Sequence, residues 1–298
     1  MLRRKRWARR STMTLIRGSV LGACAALMVG AALAGALLPH RATALTVDEL
    51  ASHRAVYDLK LAHARGNPGA VSARGRILYD FSGSACDGYT LQFRQVSELD
   101  NGEGKVTLSD LRSTSWEDGA AKKFIFKSQN YLNEVLVDSV DGHAEREADK
   151  LAVALTKPED RKFNLDVAIV FPTDHMRRII EAARAEKSLL ELPVYDGSDK
   201  GDKVYNTLTV IGRVIMPNER LPTDAAAGQQ AFAGLKRWPV TVSYFDKAGK
   251  GGDQAPVYAI SFELYENGVS RALVLDYNDF AIRGDLTSIE VRDTKPCN

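Results

Sequence analysis

The chain is poor in the residue patterns that carry chemistry. It has five histidines in 298 residues. Four of them, His53, His63, His143 and His175, lie beyond residue 44, and none stands at metal-ligand spacing from another. There is no His-Glu-x-x-His, no Gly-x-Ser-x-Gly elbow and no dinucleotide fingerprint after a strand; several Gly-Lys pairs occur, but no phosphate loop. No catalytic residue, metal ligand or cofactor site is therefore assigned, and no enzyme activity is expected. Cysteine is scarce too: three in all, Cys24, Cys86 and Cys297.

Acidic residues are missing from the first 44 positions, which hold eight of the 40 Lys and Arg. Arg3, Arg4, Lys5, Arg6, Arg9, Arg10 and Arg17 precede an uncharged run from Gly18 to Leu38, and Ala42-Thr43-Ala44 follows. Basic, apolar and small-x-small segments in this order form a secretory signal. Cleavage is expected between Ala44 and Leu45. An uncleaved anchor is the main alternative, because about 21 apolar residues span a bilayer of roughly 30 Å. The lipoprotein-like Leu21-Gly22-Ala23-Cys24 opens the apolar run where a lipoprotein box should close it, and Arg9-Arg10 lacks the rest of a twin-arginine pattern.

Removing residues 1–44 leaves 32 basic and 38 acidic side chains, a net of −6. The whole-chain basic character thus belongs to the signal, and the remainder carries no basic cluster for nucleic acid or for an anionic membrane surface. Residues 45–298 are expected to form one domain, located in the periplasm, monomeric and without a transmembrane segment after cleavage.

Alternation with period two dominates this region. Tyr57, Leu59 and Leu61 share one face; so do Ile77, Tyr79 and Phe81, and Tyr89, Leu91 and Phe93. Phe124, Phe126, Tyr131, Val135 and Val137 continue the pattern. The second half repeats it over 204–215, 240–245, 257–265, 271–277 and 286–291. This is the pattern of antiparallel strands with one dry and one wet face. Asn101-Gly102, Asp118-Gly119, Asp141-Gly142 and Asn267-Gly268 are the predicted turns, since Asn and Gly accept the positive φ of tight hairpins. The fold class is mainly β: a curled antiparallel sheet of about 12–14 strands, barrel-like or spiral. One stretch has helical spacing instead. Met176, Ile179, Ile180 and Ala183 form a stripe after Pro172. Thr173 or Asp174 is the expected cap, and Arg177, Arg178, Glu181, Arg184, Glu186 and Lys187 are expected in solvent. The helix should pack against, or plug, one end of the sheet.

Asp196-Gly197-Ser198-Asp199-Lys200-Gly201-Asp202 brings three carboxylates together, three apart rather than alternating, with Lys200 among them. That spacing favours a polar turn over a calcium loop. Cys86 lies in a turn and Cys297 is penultimate. In an oxidising compartment they form an intramolecular bond, an intermolecular bond or a redox-active pair, and the lack of Cys-x-x-Cys speaks against the last.

Ser52-His53-Arg54-Ala55-Val56-Tyr57-Asp58-Leu59, Cys86-Asp87-Gly88-Tyr89, Phe171-Pro172-Thr173-Asp174-His175, Tyr195-Asp196-Gly197-Ser198-Asp199 and Leu275-Asp276-Tyr277-Asn278-Asp279-Phe280 occur in this order. Together they resemble the EipB family of periplasmic cell-envelope integrity proteins. The resemblance implies a β-spiral with a broad cleft and a helix, a disulfide between Cys86 and Cys297, and maintenance of the envelope through an envelope component or a periplasmic partner protein. It supplies no catalytic residues. In an open spiral, that disulfide is expected to tie the beginning of the sheet to its end. Two other roles are weighed against this one. A lipid or lipoprotein carrier would line its cleft with Tyr57, Phe93, Phe126, Tyr244 and Phe262. An envelope-polymer hydrolase would need a convergent pair among acids such as Asp80, Glu98 and Glu263.

Overall fold

The computed structural model describes residues 50–65, 71–246, 255–293 and 297. The expected signal and its Ala44–Leu45 cleavage site lie outside them. The strands are β1 His53–Ala64, β2 Ser72–Ser84, β3 Gly88–Asp100, β4 Val106–Glu117, β5 Lys123–Leu132, β6 Val135–Arg146, β7 Lys150–Lys157, β8 Arg161–Asp166, β9 Leu189–Val194, β10 Tyr205–Ile211, β11 Arg237–Asp246, β12 Tyr258–Tyr265, β13 Ser270–Asp276 and β14 Phe280–Val291; helix α1 is Pro172–Arg184. All fourteen belong to one antiparallel sheet, and nearly every strand pairs with its neighbours in sequence. The alternation read from sequence is the cause: in β1, His53, Ala55, Tyr57 and Leu59 are buried, while Arg54 and Lys60 are exposed.

The order β8-β7-β6-β5-β4-β3-β2-β1-β14-β13-β12-β11-β10-β9 changes one expectation. The first and last strands pair directly, from His53 opposite Val291 to Ala64 opposite Phe280. The free edges are β8 and β9, consecutive in the chain and joined through α1. Cys86 and Cys297 are disulfide-bonded, with Cα atoms 5.7 Å apart. Their bond therefore does not stand in for a missing ladder between chain ends. It fastens the tail beyond β14 to the β2–β3 turn, beside a seam that backbone hydrogen bonds already close.

Packing shows how far the sheet curls. Ile179, Ile180, Ala182 and Ala183 of α1 share a core with Phe81 and Tyr89 on one side and with Ile211, Trp238, Val240, Val242, Phe262 and Leu264 on the other. Six strands lie between β3 and β10 in the sheet, yet both flank the same helix. Each buried isoleucine here contributes roughly 1.5–3 kcal/mol. The expected stripe is thus correct, with Met176 only half-buried and Ala182 added to it. A second core lies along β1, β2 and β14, including Tyr57, Ile77, Ile282 and Leu286.

The third core joins the two edges. Phe124 and Phe126 of β5 meet Tyr195, just past β9, edge-on at 83° and 81°. The segment after Tyr195 presses so closely on β5–β7 that a Cβ on Gly197 would lie 2.3 Å from Phe126, and one on Gly201 2.8 Å from Val140. Both glycines have positive φ, 70° and 81°. The Asp-Gly-Ser-Asp signature of the sequence is therefore a packing device for the open side of the sheet.

Asn267-Gly268 joins β12 to β13 as expected. Asp141-Gly142 is not a turn: it lies inside β6, at a register shift against β7. Gly142 is needed because a Cβ would meet the Ala154 carbonyl oxygen at 2.8 Å and Phe126 at 3.0 Å. The hairpin instead turns at Asn133-Glu134, with φ of 49° and 68°. Asn133 Oδ1 accepts from the Leu108 N–H at 2.9 Å, and the Asn133 N–H donates to the Leu108 carbonyl at 2.8 Å. Asn133→Ala is expected to lose about 1–2 kcal/mol through backbone strain and the lost bond, read by urea denaturation with an unchanged slope.

Candidate functional site

At one end of the curled sheet, α1 lies between the β4–β5 and β12–β13 turns. The helix has no side-chain cap of its own; its N-cap position is Phe171. The expected caps do other work. Asp174 pairs with Arg178 at 2.9 Å and with Arg177 at 3.5 Å. The free N–H groups of the first turn donate instead to Glu117, the last residue of β4: Thr173 N–H to Oε2 at 2.7 Å and Asp174 N–H to Oε1 at 2.8 Å. A carboxylate on a remote strand thus satisfies the helix start and complements its positive end. Glu117 is buried, and this burial pushes its pKa up to about 7 against the lowering effect of the two N–H donors.

Two arginines expected in solvent are half-buried for the same reason. Arg177 donates to the Gly119 carbonyl at 2.8 Å, and Arg184 to the Glu266 carbonyl at 3.1 Å, one turn on each side. Below them, His175 is buried against Thr207, and burial pushes its pKa down to about 4. The helix is therefore a plug fixed at both ends.

The concave face beyond the plug is not uniformly apolar. Glu117 marks the inward side of β4, so Ser115, Ser113 and Leu111 also face inward. Their cross-strand partners are Leu91, Phe93 and Gln95 of β3 and Phe126, Ser128 and Asn130 of β5. All but the buried Phe126 are half-buried. This gives a ledge of hydroxyls and amides between apolar cores. The Gln95 amide donates to Ser97 Oγ at 3.2 Å. Asn130 Oδ1 is buried with no hydrogen-bond partner among the described residues, and such an atom costs about 1–3 kcal/mol unless something meets it. The ledge offers neutral donors and acceptors, which suit a polar, uncharged stretch of ligand.

The acids considered for hydrolysis do not converge here. Asp80, Glu98 and Glu263 all alternate onto the convex face. Asp80 pairs with Arg292, Glu98 with Arg74 at 2.7 Å and Glu263 with Arg237 at 2.6 Å. The five candidate carrier residues are divided. Tyr57 lies in the β1–β2–β14 core with Phe93 against it, Phe126 in the β5–β7 core, and Phe262 in the helix core with Tyr244 against it. The carboxylates of 196–202 are likewise dispersed: Asp196 accepts from the Ser198 N–H at 2.9 Å, Asp199 faces Lys203 at 3.6 Å and Asp202 pairs with Arg161 at 2.6 Å.

Sequence reasoning missed Glu117 and the polar ledge. The ledge was visible in outline, because Ser109, Ser113, Ser115 and Ser128 alternate at positions where other strands place apolar residues. Glu117 gave no signal, since its partners are backbone groups 56 and 57 residues away.

Comparison with known proteins agrees with this architecture. The EipB-like family model matches residues 44–293. The chain belongs to the EipB-like family. It is 35% identical over 282 residues to the cell envelope integrity protein EipB of Brucella abortus (strain 2308), covering 95% of this chain and 97% of that one. A crystal structure of a β-barrel-like protein, a domain of unknown function (DUF1849) from Brucella abortus, superposes with a TM-score of 0.75 at 36% identity, covering 82% of this chain and 99% of the other. The curled sheet of the EipB-like chain is thus shared with a solved, β-barrel-like relative.

Proposed function

We propose that this EipB-like protein maintains envelope integrity as a non-enzymatic periplasmic protein, binding an envelope component or a partner protein on its concave face. The observation that carries the role is its 35% identity, over nearly the full length of both chains, to a protein named for envelope integrity. The ledge of Gln95, Ser113, Ser115, Ser128 and Asn130 supports binding, because it places neutral polar groups, the unpartnered Asn130 Oδ1 among them, between apolar walls. The candidate acids on the convex face, each held by an arginine, support the non-enzymatic reading. The ledge favours an extended polar chain, peptide or glycan, over an acyl tail, whose methylenes would leave these groups unpaired.

Deleting the gene in its native cell is expected to sensitise the envelope to detergent, and the wild-type gene to restore resistance. Unchanged resistance after deletion would remove the envelope role. Crosslinking from a photoreactive residue at position 113 is expected to trap an envelope component, whereas the same probe at convex position 76 traps none.

A further inference from the structure

Besides its two outer edges, the sheet has an unpaired stretch within β6. That strand runs from Val135 to Arg146, but β7 pairs with it only from Asp141 onward, beginning opposite Lys157. Lys157 is followed by Pro158, whose nitrogen has no N–H to extend the ladder. Residues 135–139 are therefore paired with β5 on one side and with no strand on the other. No turn or loop meets their free backbone groups among the described residues.

The outer edges are guarded and this stretch is not. β8 carries Arg161, Lys162 and Asp166, while β9 contains Pro193 and is bridged at Val194 by Val170. Charges, proline and a covering segment are the usual protections of a strand edge. The β6 stretch reads Val135-Leu136-Val137-Asp138-Ser139, with no Lys, Arg or Pro. Val135, Leu136 and Val137 are 64%, 46% and 51% exposed. Leu132, across the hairpin, is exposed as well, so the apolar surface is continuous around the tip.

We propose that residues 135–139 are a docking edge for an extended segment of a partner protein, in which lysine or arginine stands between apolar residues. The segment adds as a further strand antiparallel to β6, continuing the track of β7. Three observations select this occupant. The unmet groups are backbone N–H and C=O at the strand repeat, which an extended polypeptide matches and a sugar or acyl chain does not. The exposed run of Val135, Leu136 and Val137 gives apolar side chains of the added strand something to cover. Glu134 and Asp138 flank that run and make no ion pair among the described residues, so the complementary charge is positive. A second copy of this chain is a poor fit. Antiparallel pairing centred on Leu136 sets Glu134 of each copy opposite Asp138 of the other, and like charges so placed destabilise the pair. The edge does not depend on the role proposed for the concave face.

Fluorescence anisotropy of the exported protein with the labelled peptide Lys-Val-Lys-Val-Thr-Val-Lys, and with its counterpart carrying glutamate for lysine, tests the proposal. The lysine peptide is expected to bind, and the glutamate one at least tenfold more weakly. Leu136→Ser/Val137→Ser should weaken the lysine peptide at least tenfold with an unchanged melting temperature, because both side chains are exposed. Leu221→Ser, at an apolar residue 73% exposed elsewhere, should leave binding unaltered. Hydrogen exchange should slow at the amides of 135–139 on peptide addition and stay unchanged along β8 and β9. Sedimentation of the free protein should show a monomer. The proposal is overturned by no binding to the wild type, by equal binding of the glutamate peptide or by the serine variant, or by binding without added protection at 135–139. A dimer that the serine variant dissociates would overturn it too, by assigning the edge to a second copy.

Discussion

Replacing Cys86 or Cys297 with serine is expected to lower the unfolding free energy by about 3–5 kcal/mol while leaving the strand seam intact. The bond joins residues 211 apart, and closing so long a loop in the unfolded chain removes entropy worth up to about 5 kcal/mol. Little of that effect should appear as lost native contact. β14 is hydrogen-bonded to β1 along its length, the Arg292 N–H donates to the Ser52 carbonyl at 2.8 Å, and the Arg292 guanidinium meets Asp80. Urea denaturation with and without reductant, combined with hydrogen exchange, separates the two effects. The midpoint should fall, while amides of β1 and β14 should keep their order of protection relative to other strands. Selective loss of protection along β1 and β14 in the serine variants would show that the disulfide holds the seam after all.

Glu117→Ala is the second large effect, a loss of about 2–4 kcal/mol centred on α1. It removes the acceptor of two buried N–H groups, each costing about 1–3 kcal/mol when unpaired. The carboxylate also makes stability depend on pH with a defined sign. The Glu117 pKa rises from 4.5 in the unfolded chain to about 7 in the fold, so the folded state holds a proton that the unfolded state releases. This contribution is full below about pH 4.5 and is lost as pH rises through about 7, for a total of about 3 kcal/mol. His175 opposes it: its folded pKa is lowered from 6.5 to about 4, so its contribution is present above pH 6.5 and lost as pH falls through about 4. His53, lowered by burial, acts in the same direction as His175. The test is therefore a difference: wild-type stability minus that of Glu117→Gln should fall between pH 5 and 7.5. A flat difference would mean that Glu117 stays ionised throughout, held by its N–H donors.

The sheet was legible in the sequence because each strand buries one face and wets the other. Tyr57-Asp58-Leu59-Lys60 or Phe124-Ile125-Phe126-Lys127 needs no tertiary information to be read as a strand. The helix was equally plain from Met176, Ile179, Ile180 and Ala183. What escaped was everything set by contact between distant segments. Gly142 looked like a turn residue and is a close approach inside β6. The acidic loop after Tyr195 looked like a plain polar turn and is the packing that joins the two edges. The position of the opening, between β8 and β9 rather than between chain ends, followed from strand order, and alternation says nothing about order. Glu117 is one carboxylate among 38 acidic residues until the fold lays the start of α1 upon it.

The central claim is that the concave face beside the helix plug is the working surface of this EipB-like protein. The most direct test is complementation of the deletion strain with Ser113→Leu/Asn130→Leu, which makes the ledge apolar, beside Arg76→Leu/Arg94→Leu on the convex face. Periplasmic levels and melting temperatures are matched before detergent resistance is scored. The concave double variant should fail to restore resistance and the convex one should restore it. Full restoration by the folded concave variant would contradict the claim.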